Sequence, residues 1–215
     1  MKLVLKSENS AIEHGEVICA MVQGLIDQKL DFQAFIALST GIEYLGAFLD
    51  NFPFSKYGKS ELRFTNALKL LFQDKWYHDN ALWMFQQVRG PLIHQCRTGD
   101  SVLLTSNCVH KIDLAENRKV IEGKTQLVLE QLFEDFKSAY AKLKVLASEN
   151  TERVSPVKRD EPFSAVYSYS EYFVSGTVNA LPYYTGTTAT AVMMVKDRKI
   201  GLPAFKKLKK KKRRK

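Results

Sequence analysis

The stretch "VRGPLIHQCR" occupies residues 88–97. Before it, Leu82, Trp83, Phe85 and Val88 predict a helix over 79–89. After it, helix is expected to resume from Pro91 to about Arg97. Gly90 and Pro91 predict a break between the two. Proline lacks a backbone donor and clashes with the preceding turn. It is comfortable as the first residue of a new helix that follows a flexible glycine. In an unbroken helix five residues turn through about 500°, which would set Arg89 and His94 about 140° apart. A restarted helix instead turns Arg89 back toward His94. Its free N–H groups then point into the same small volume, a favourable place for a phosphate.

The two side chains suit one chemistry. A neutral histidine exchanges protons near neutral pH. An arginine grips a phosphodiester through two N–H groups and stays charged. Together they fit attack by an RNA 2′-hydroxyl on its adjacent phosphate, with His94 moving the proton, Arg89 stabilising the charge on phosphorus and no metal required. The bland alternatives are a core-edge histidine bonded to a carbonyl and a surface arginine paired with an acid such as Asp100.

Outward from this stretch the chain reads as mainly α: an antiparallel helical bundle with a small β element before its last long helix. Ile12, Ile18, Met21, Val22, Leu25 and Ile26 form a helical stripe within 9–28. Asp31 is the expected N-cap of the next helix, 32–50, with Phe35, Leu38, Ile42, Leu45 and Leu49 on its apolar face. Ser39, Gly41 and Gly46 there would admit a second helix closely. Glu43, in "GIEYLG", is placed either to orient Arg89 or His94 from across the bundle or to sit at the edge of the stripe. Ser60 begins a third helix over 61–73. "SVLLTS" and "VHKIDL", with "AENR" as a turn before "KVIE", predict a small antiparallel β element. The last helix is expected over 124–147, with Leu129, Leu132, Phe133, Phe136, Tyr140 and Leu143 on its buried face.

This order of elements, with "RGPLIH" at a helix end in the second half of the bundle, resembles the HEPN family (higher eukaryotes and prokaryotes nucleotide-binding). The resemblance covers residues 9–147. It implies a four- or five-helix bundle that dimerises and brings two copies of the Arg-x4-His motif around one RNA strand. It also implies metal-independent endoribonuclease activity, as in toxins and anti-phage systems, with Arg89 and His94 catalytic. The chain departs from the pattern at one position. The residue after the arginine is usually polar in the family; here it is Gly90. Inactive family members serve as dimerisation and partner-binding modules, which is the alternative reading.

The net charge of +9 belongs to the end of the chain. Its last ten residues, "KKLKKKKRRK", carry Lys206, Lys207, Lys209, Lys210, Lys211, Lys212, Arg213, Arg214 and Lys215. Taking these nine from the 32 basic residues leaves as many cations as there are acids, 23. The expected organisation is a helical domain over 1–148, a linker and Tyr/Ser/Thr-rich extension over 149–205, and a basic tail over 206–215. In the extension, "FSAVYSYSEYF" and "TTATAVMMV" favour either a hairpin or a sticky unfolded segment. The tail would hold RNA or DNA by counterion release, act as an import or membrane-surface patch, or have no dedicated partner.

Three cysteines without a C-x-x-C spacing predict free thiols in a reducing compartment. With no apolar run near 18 residues, a soluble cytoplasmic protein is expected. His14, His78 and His110 have no ligand spacing, so neither metal nor cofactor is expected. No phosphate-binding glycine loop or nucleophile elbow points to an NTPase, dehydrogenase or α/β-hydrolase. The remaining expected partners are RNA, a second copy of the chain, and an antitoxin or other protein.

Overall fold

The computed structural model describes residues 9–149, 151–159, 162–163, 180–185 and 188–193. A two-residue strand, β1 (Asn9–Ser10), leads into α1 (His14–Asp27) and α2 (Asp31–Ala47). Val17, Ile18, Met21, Val22, Leu25 and Ile26 recur on one side of α1 and are all buried. Lys29 takes a left-handed conformation (φ 59°) and turns the chain into α2. A turn this short makes the helices antiparallel neighbours. The far end of α2 accordingly lies beside the start of α1, where the Tyr44 hydroxyl donates to the Ala11 carbonyl.

Asp31 is not the N-cap of α2. Leu30 holds that position, and the Asp31 carboxylate instead accepts a hydrogen bond from the Ser106 hydroxyl, tying α2 to the β element. Two glycines in α2 provide close approach. A Cβ on Gly41 would lie 2.9 Å from Ile18 and 3.0 Å from Phe136. One on Gly46 would lie 1.8 Å from the Arg63 carbonyl oxygen, in α3 (Ser60–Leu70). The α2–α3 contact therefore has backbone against backbone at that point.

Helix α4 (Lys75–Asp79) is capped by Asp74, whose carboxylate accepts from the Trp76 N–H at 2.8 Å. Then α5 (Ala81–Met84), a π-helical turn (Phe85–Arg89) and α6 (Gly90–Gln95) follow one another without a gap. Ala81, Met84, Val88 and Leu92 face the core along this rod.

The sheet is not the antiparallel element expected. Its order is β2–β4–β3, with β2 (Val102–Thr105) parallel to β4 (Lys124–Val128) and only β3 (Val120–Ile121) antiparallel to it. "VHKIDL" supplies no strand. Asn107–His110 form a short helix, α7, because Ser106 caps it through the Val109 N–H and Glu130 accepts from the Asn107 and Cys108 N–H groups. A parallel pair needs a crossover, and residues 106–123 provide it. Arg118 fastens this crossover to the bundle. It pairs with Asp74 and Asp135 and stacks over Tyr77 at 4.9 Å.

Helix α8 (Leu129–Ser148) starts five residues later than its sequence pattern suggests, because 124–128 pair in the sheet. Leu129, Leu132, Phe133, Phe136, Ala139, Tyr140 and Leu143 are buried on one face. Each large apolar side chain there contributes about 1.5–3 kcal/mol.

The packed body continues past residue 148. Val154 and Lys158 are buried, the latter on α9 (Pro156–Arg159). The Lys158 amine donates to Asp50 Oδ1 at 2.6 Å and to the Ala47 carbonyl at the end of α2. Arg63 meets the other Asp50 oxygen at 2.7 Å and donates to the Pro53 and Phe54 carbonyls. β5 (Pro162–Phe163) then pairs antiparallel with β1. In the extension, β6 (Ala180–Thr185) and β7 (Thr188–Met193) form a hairpin. Within "TTATAVMMV", Thr188–Met193 thus pair with "ALPYYT". All but the first residue of "FSAVYSYSEYF", and the basic tail, lie outside the described residues. Among the described residues no helix is long and apolar enough to cross a membrane.

Candidate functional site

The helix does not break at Gly90–Pro91. Gly90 has ordinary right-handed helical angles (φ −58°, ψ −57°). Its N–H reaches back five residues to the Phe85 carbonyl, the bond that defines a π turn. Pro91 has no N–H to offer the Gln87 carbonyl four residues earlier. That orphaned acceptor takes the Gly99 N–H instead, at 2.7 Å. The chain returns to it because Cys96 ends α6 in a left-handed conformation (φ 51°) and reverses direction. Gly99 is a glycine for reasons of space. A Cβ there would sit 2.1 Å from Gln87 Oε1 and 2.9 Å from Gln87 Cα. Proline is thus tolerated inside a helix because a loop supplies the partner it removes.

Arg89 is the last residue of the π turn and His94 lies in the final turn of α6. Arg89 Nη1 is 3.1 Å from His94 Nε2. A guanidinium only donates. In this contact His94 Nε2 therefore stands as the acceptor. Glu43 holds Arg89 from the opposite side. Its Oε2 lies 2.8 Å from Arg89 Nε and 2.5 Å from Nη2. The Phe85 ring lies beneath the guanidinium, 5.6 Å from centroid to Cζ, and leans in turn on Phe64.

This leaves a defined chemical surface. Arginine has five N–H donors. Nε–H and one Nη2–H face Glu43, and one Nη1–H faces His94. One donor on each Nη remains without a partner among the described residues, the pair that a phosphate accepts in bidentate fashion. The Arg89 side chain is 11% exposed and His94 is exposed. The guanidinium is thus fixed in a partly covered setting while the imidazole meets solvent. Glu43 weakens the positive field that an anion would feel, and in exchange fixes the direction of both free N–H bonds.

The structure brings Arg89, His94 and Glu43 together. Gly90 and Pro91 lie in the helix behind them, setting its path without forming a gap. Asp100 is not the partner of Arg89; its carboxylate lies 3.6 Å from Arg97. The contributions of Gly99, Gln87 and Phe85 escape a sequence reading. Phe85 was visible as an apolar position, but nothing in the spacing links Gly99 to Gln87. Among the described residues no three His, Cys, Asp or Glu side chains converge as metal ligands do. No protein-family model, curated protein or solved structure matches the chain.

Proposed function

We propose that this chain is a HEPN-like, RNA-acting protein whose Arg89–His94 pair works as a metal-independent endoribonuclease centre. The observation that carries the reading is the 3.1 Å contact between a carboxylate-anchored guanidinium and an imidazole nitrogen. The RNA 2′-hydroxyl displaces Arg89 Nη1 from His94 Nε2, which then accepts the hydroxyl proton. The 2′-oxygen bonds to phosphorus while the two free N–H groups of Arg89 hold the non-bridging oxygens. The bond to the 5′-oxygen breaks, and the imidazolium returns its proton to that leaving oxygen. The products are a 2′,3′-cyclic phosphate and a 5′-hydroxyl. A homodimer and a toxin or defence role follow from the same resemblance. The basic tail raises local RNA concentration without reading sequence.

Purified protein incubated with mixed-sequence RNA in EDTA tests this. Cleavage to cyclic phosphate ends, lost by at least about 100-fold in both Arg89→Ala and His94→Ala, is the expected result. Products with 5′-phosphate ends would overturn the mechanism. Expression should be toxic to a host cell, and His94→Ala should relieve that toxicity.

One observation favours the second reading, a non-catalytic dimerisation and partner-binding module. Gly90 stands where the family has a polar side chain, and a Cβ there would meet the Phe85 carbonyl at 3.2 Å. No cleavage by a folded wild-type protein, together with harmless expression, would select the module.

A further inference from the structure

The loop between α2 and α3, "NFPFSKYGK" at 51–59, holds the most exposed large hydrophobic side chain among the described residues. Tyr57 is 97% exposed. A ring in water on a loose loop would mean little, but this loop is fastened along its length. The Phe52 N–H donates to Asp50 Oδ1 at 2.9 Å. Arg63 donates to the Pro53 and Phe54 carbonyls at 2.8 and 2.9 Å. Phe54 stacks on Tyr44, with Lys158 above its ring at 5.1 Å. The Lys56 N–H closes a turn onto the Pro53 carbonyl. Gly58 follows Tyr57 in a left-handed conformation (φ 74°), which sets the direction of the exit from the loop.

The charges within the loop share one sign. Lys56 and Lys59 are the only charged residues between 51 and 60. Lys59 sits over Phe52 at 4.1 Å. The single negative charge of Asp50 is met by both Arg63 and Lys158. The next acid along the chain, Glu61, lies beyond the loop in the first turn of α3. An exposed ring on a hydrogen-bonded loop, flanked by lysines and polar residues, fits a base with its phosphate better than an apolar protein surface.

The loop stands at the end of the bundle that carries Arg89. Glu43 is about one turn before the end of α2. Phe64, next to Arg63, touches the Phe85 ring beneath Arg89. We propose that loop 51–59 is a stacking platform for single-stranded RNA, with Tyr57 taking a base and Lys56 the adjoining phosphate. This rests on the reading of Arg89 and His94 as an RNA site and adds a place for nucleotides away from the cleaved bond.

Stacking and the basic tail are separable by salt. Phosphate contacts weaken steeply as salt rises, whereas ring stacking does not depend on counterions. The experiment is fluorescence anisotropy of a labelled unstructured oligoribonucleotide against full-length His94→Ala protein, which holds RNA without cutting it, across a salt series. Adding Tyr57→Ala should weaken binding about tenfold at every salt concentration, leaving the salt slope unchanged. Tyr57→Phe should bind like the parent. Lys56→Gln should reduce the slope by about 0.7, one phosphate's worth. Equal affinity of Tyr57→Ala and parent at high salt, or equal losses for Tyr57→Ala and Tyr57→Phe, would overturn the platform. The nuclease reading is scored separately by cleavage in the wild type. Tyr57-dependent binding without wild-type cleavage keeps the platform and removes the nuclease. Cleavage with Tyr57-independent binding does the reverse.

Discussion

Two arginines grip a carboxylate at the same end of this bundle, and they do opposite things with it. Arg63 and Asp50 are about 5% exposed, and every further contact of the pair is to backbone or to Lys158. Arg89 and Glu43 are 11% and 20% exposed, and their further neighbour is an imidazole open to solvent. The first pair spends its donors on holding a loop and α9 in place. The second holds one side chain still and leaves two of its donors without a partner among the described residues. Hydrogen-bond counts alone do not separate the two; what lies at the end of the chain of contacts does.

The largest expected effect breaks the buried pair. Asp50→Ala leaves Arg63 and Lys158 facing each other without an anion, and should lower stability by about 3–5 kcal/mol in urea unfolding. A loss below about 1 kcal/mol would mean that this cluster is not the structural half of the comparison. Burial on its own would raise the Asp50 carboxyl, but hydrogen bonds from Arg63 and Lys158 outweigh it and hold it below its ordinary value. The stability it adds is present above that ordinary value and is lost as pH falls through the lowered one.

Next in size is an acid effect that must be kept apart from any pH dependence of cleavage. His14 is 3% exposed, and burial lowers its pKa from 6.5 to about 4. Between these values the unfolded chain is protonated and the folded one is not, so stability should fall by about 3 kcal/mol as pH drops across the window. His14→Gln should flatten this part of the stability curve. If the slope persists, another group is responsible.

Gly99→Ala sharpens the contrast from the side of the site. Its methyl group collides with Gln87 and should cost about 1–3 kcal/mol. Gln87→Ala in the same chain should return part of that, since it removes the atom lying 2.1 Å away. No recovery would show that the loop is strained for another reason. The smallest effect is the most informative one. Arg89→Ala should cost about 1–2 kcal/mol, less than Asp50→Ala because Glu43 keeps some access to water, while abolishing RNA cleavage. A loss like that of Asp50→Ala would make Arg89 a second structural clamp.

Much of the bundle could be read from the chain, because a buried face repeats locally. The stripes of α1, α2 and α8 needed only three- and four-residue spacing, and Gly41 and Gly46 lay where helices cross. The sheet was harder. Parallel pairing of β2 with β4 is set by the crossover between them, and alternation along a strand carries no record of its partner's direction. The supposed break at Gly90–Pro91 was misread for a similar reason. Proline stops a helix when the carbonyl it orphans has nowhere to go, and here Gly99 answers that carbonyl from twelve residues away. Arg89 and His94 were visible as a pair of suitable chemistry. That Glu43 rather than Asp100 anchors the arginine depends on α2 packing against the π turn, a contact between residues 46 apart.

The pairing of β1 with β5 also decides where the rest of the chain is leashed. Phe163 lies against Asn9, two residues from Ala11, and Ala11 is bonded to Tyr44, the neighbour of Glu43. Whatever path residues 164–215 take, they are tied at the end of the bundle that bears Arg89. Under the proposed RNA role, a polyanion held by the nine terminal cations is tethered to the body through that end of the bundle. Moving the leash, by joining the same tail to the N-terminus of a circularly permuted body opened at Lys29, would keep every charge and change only the address.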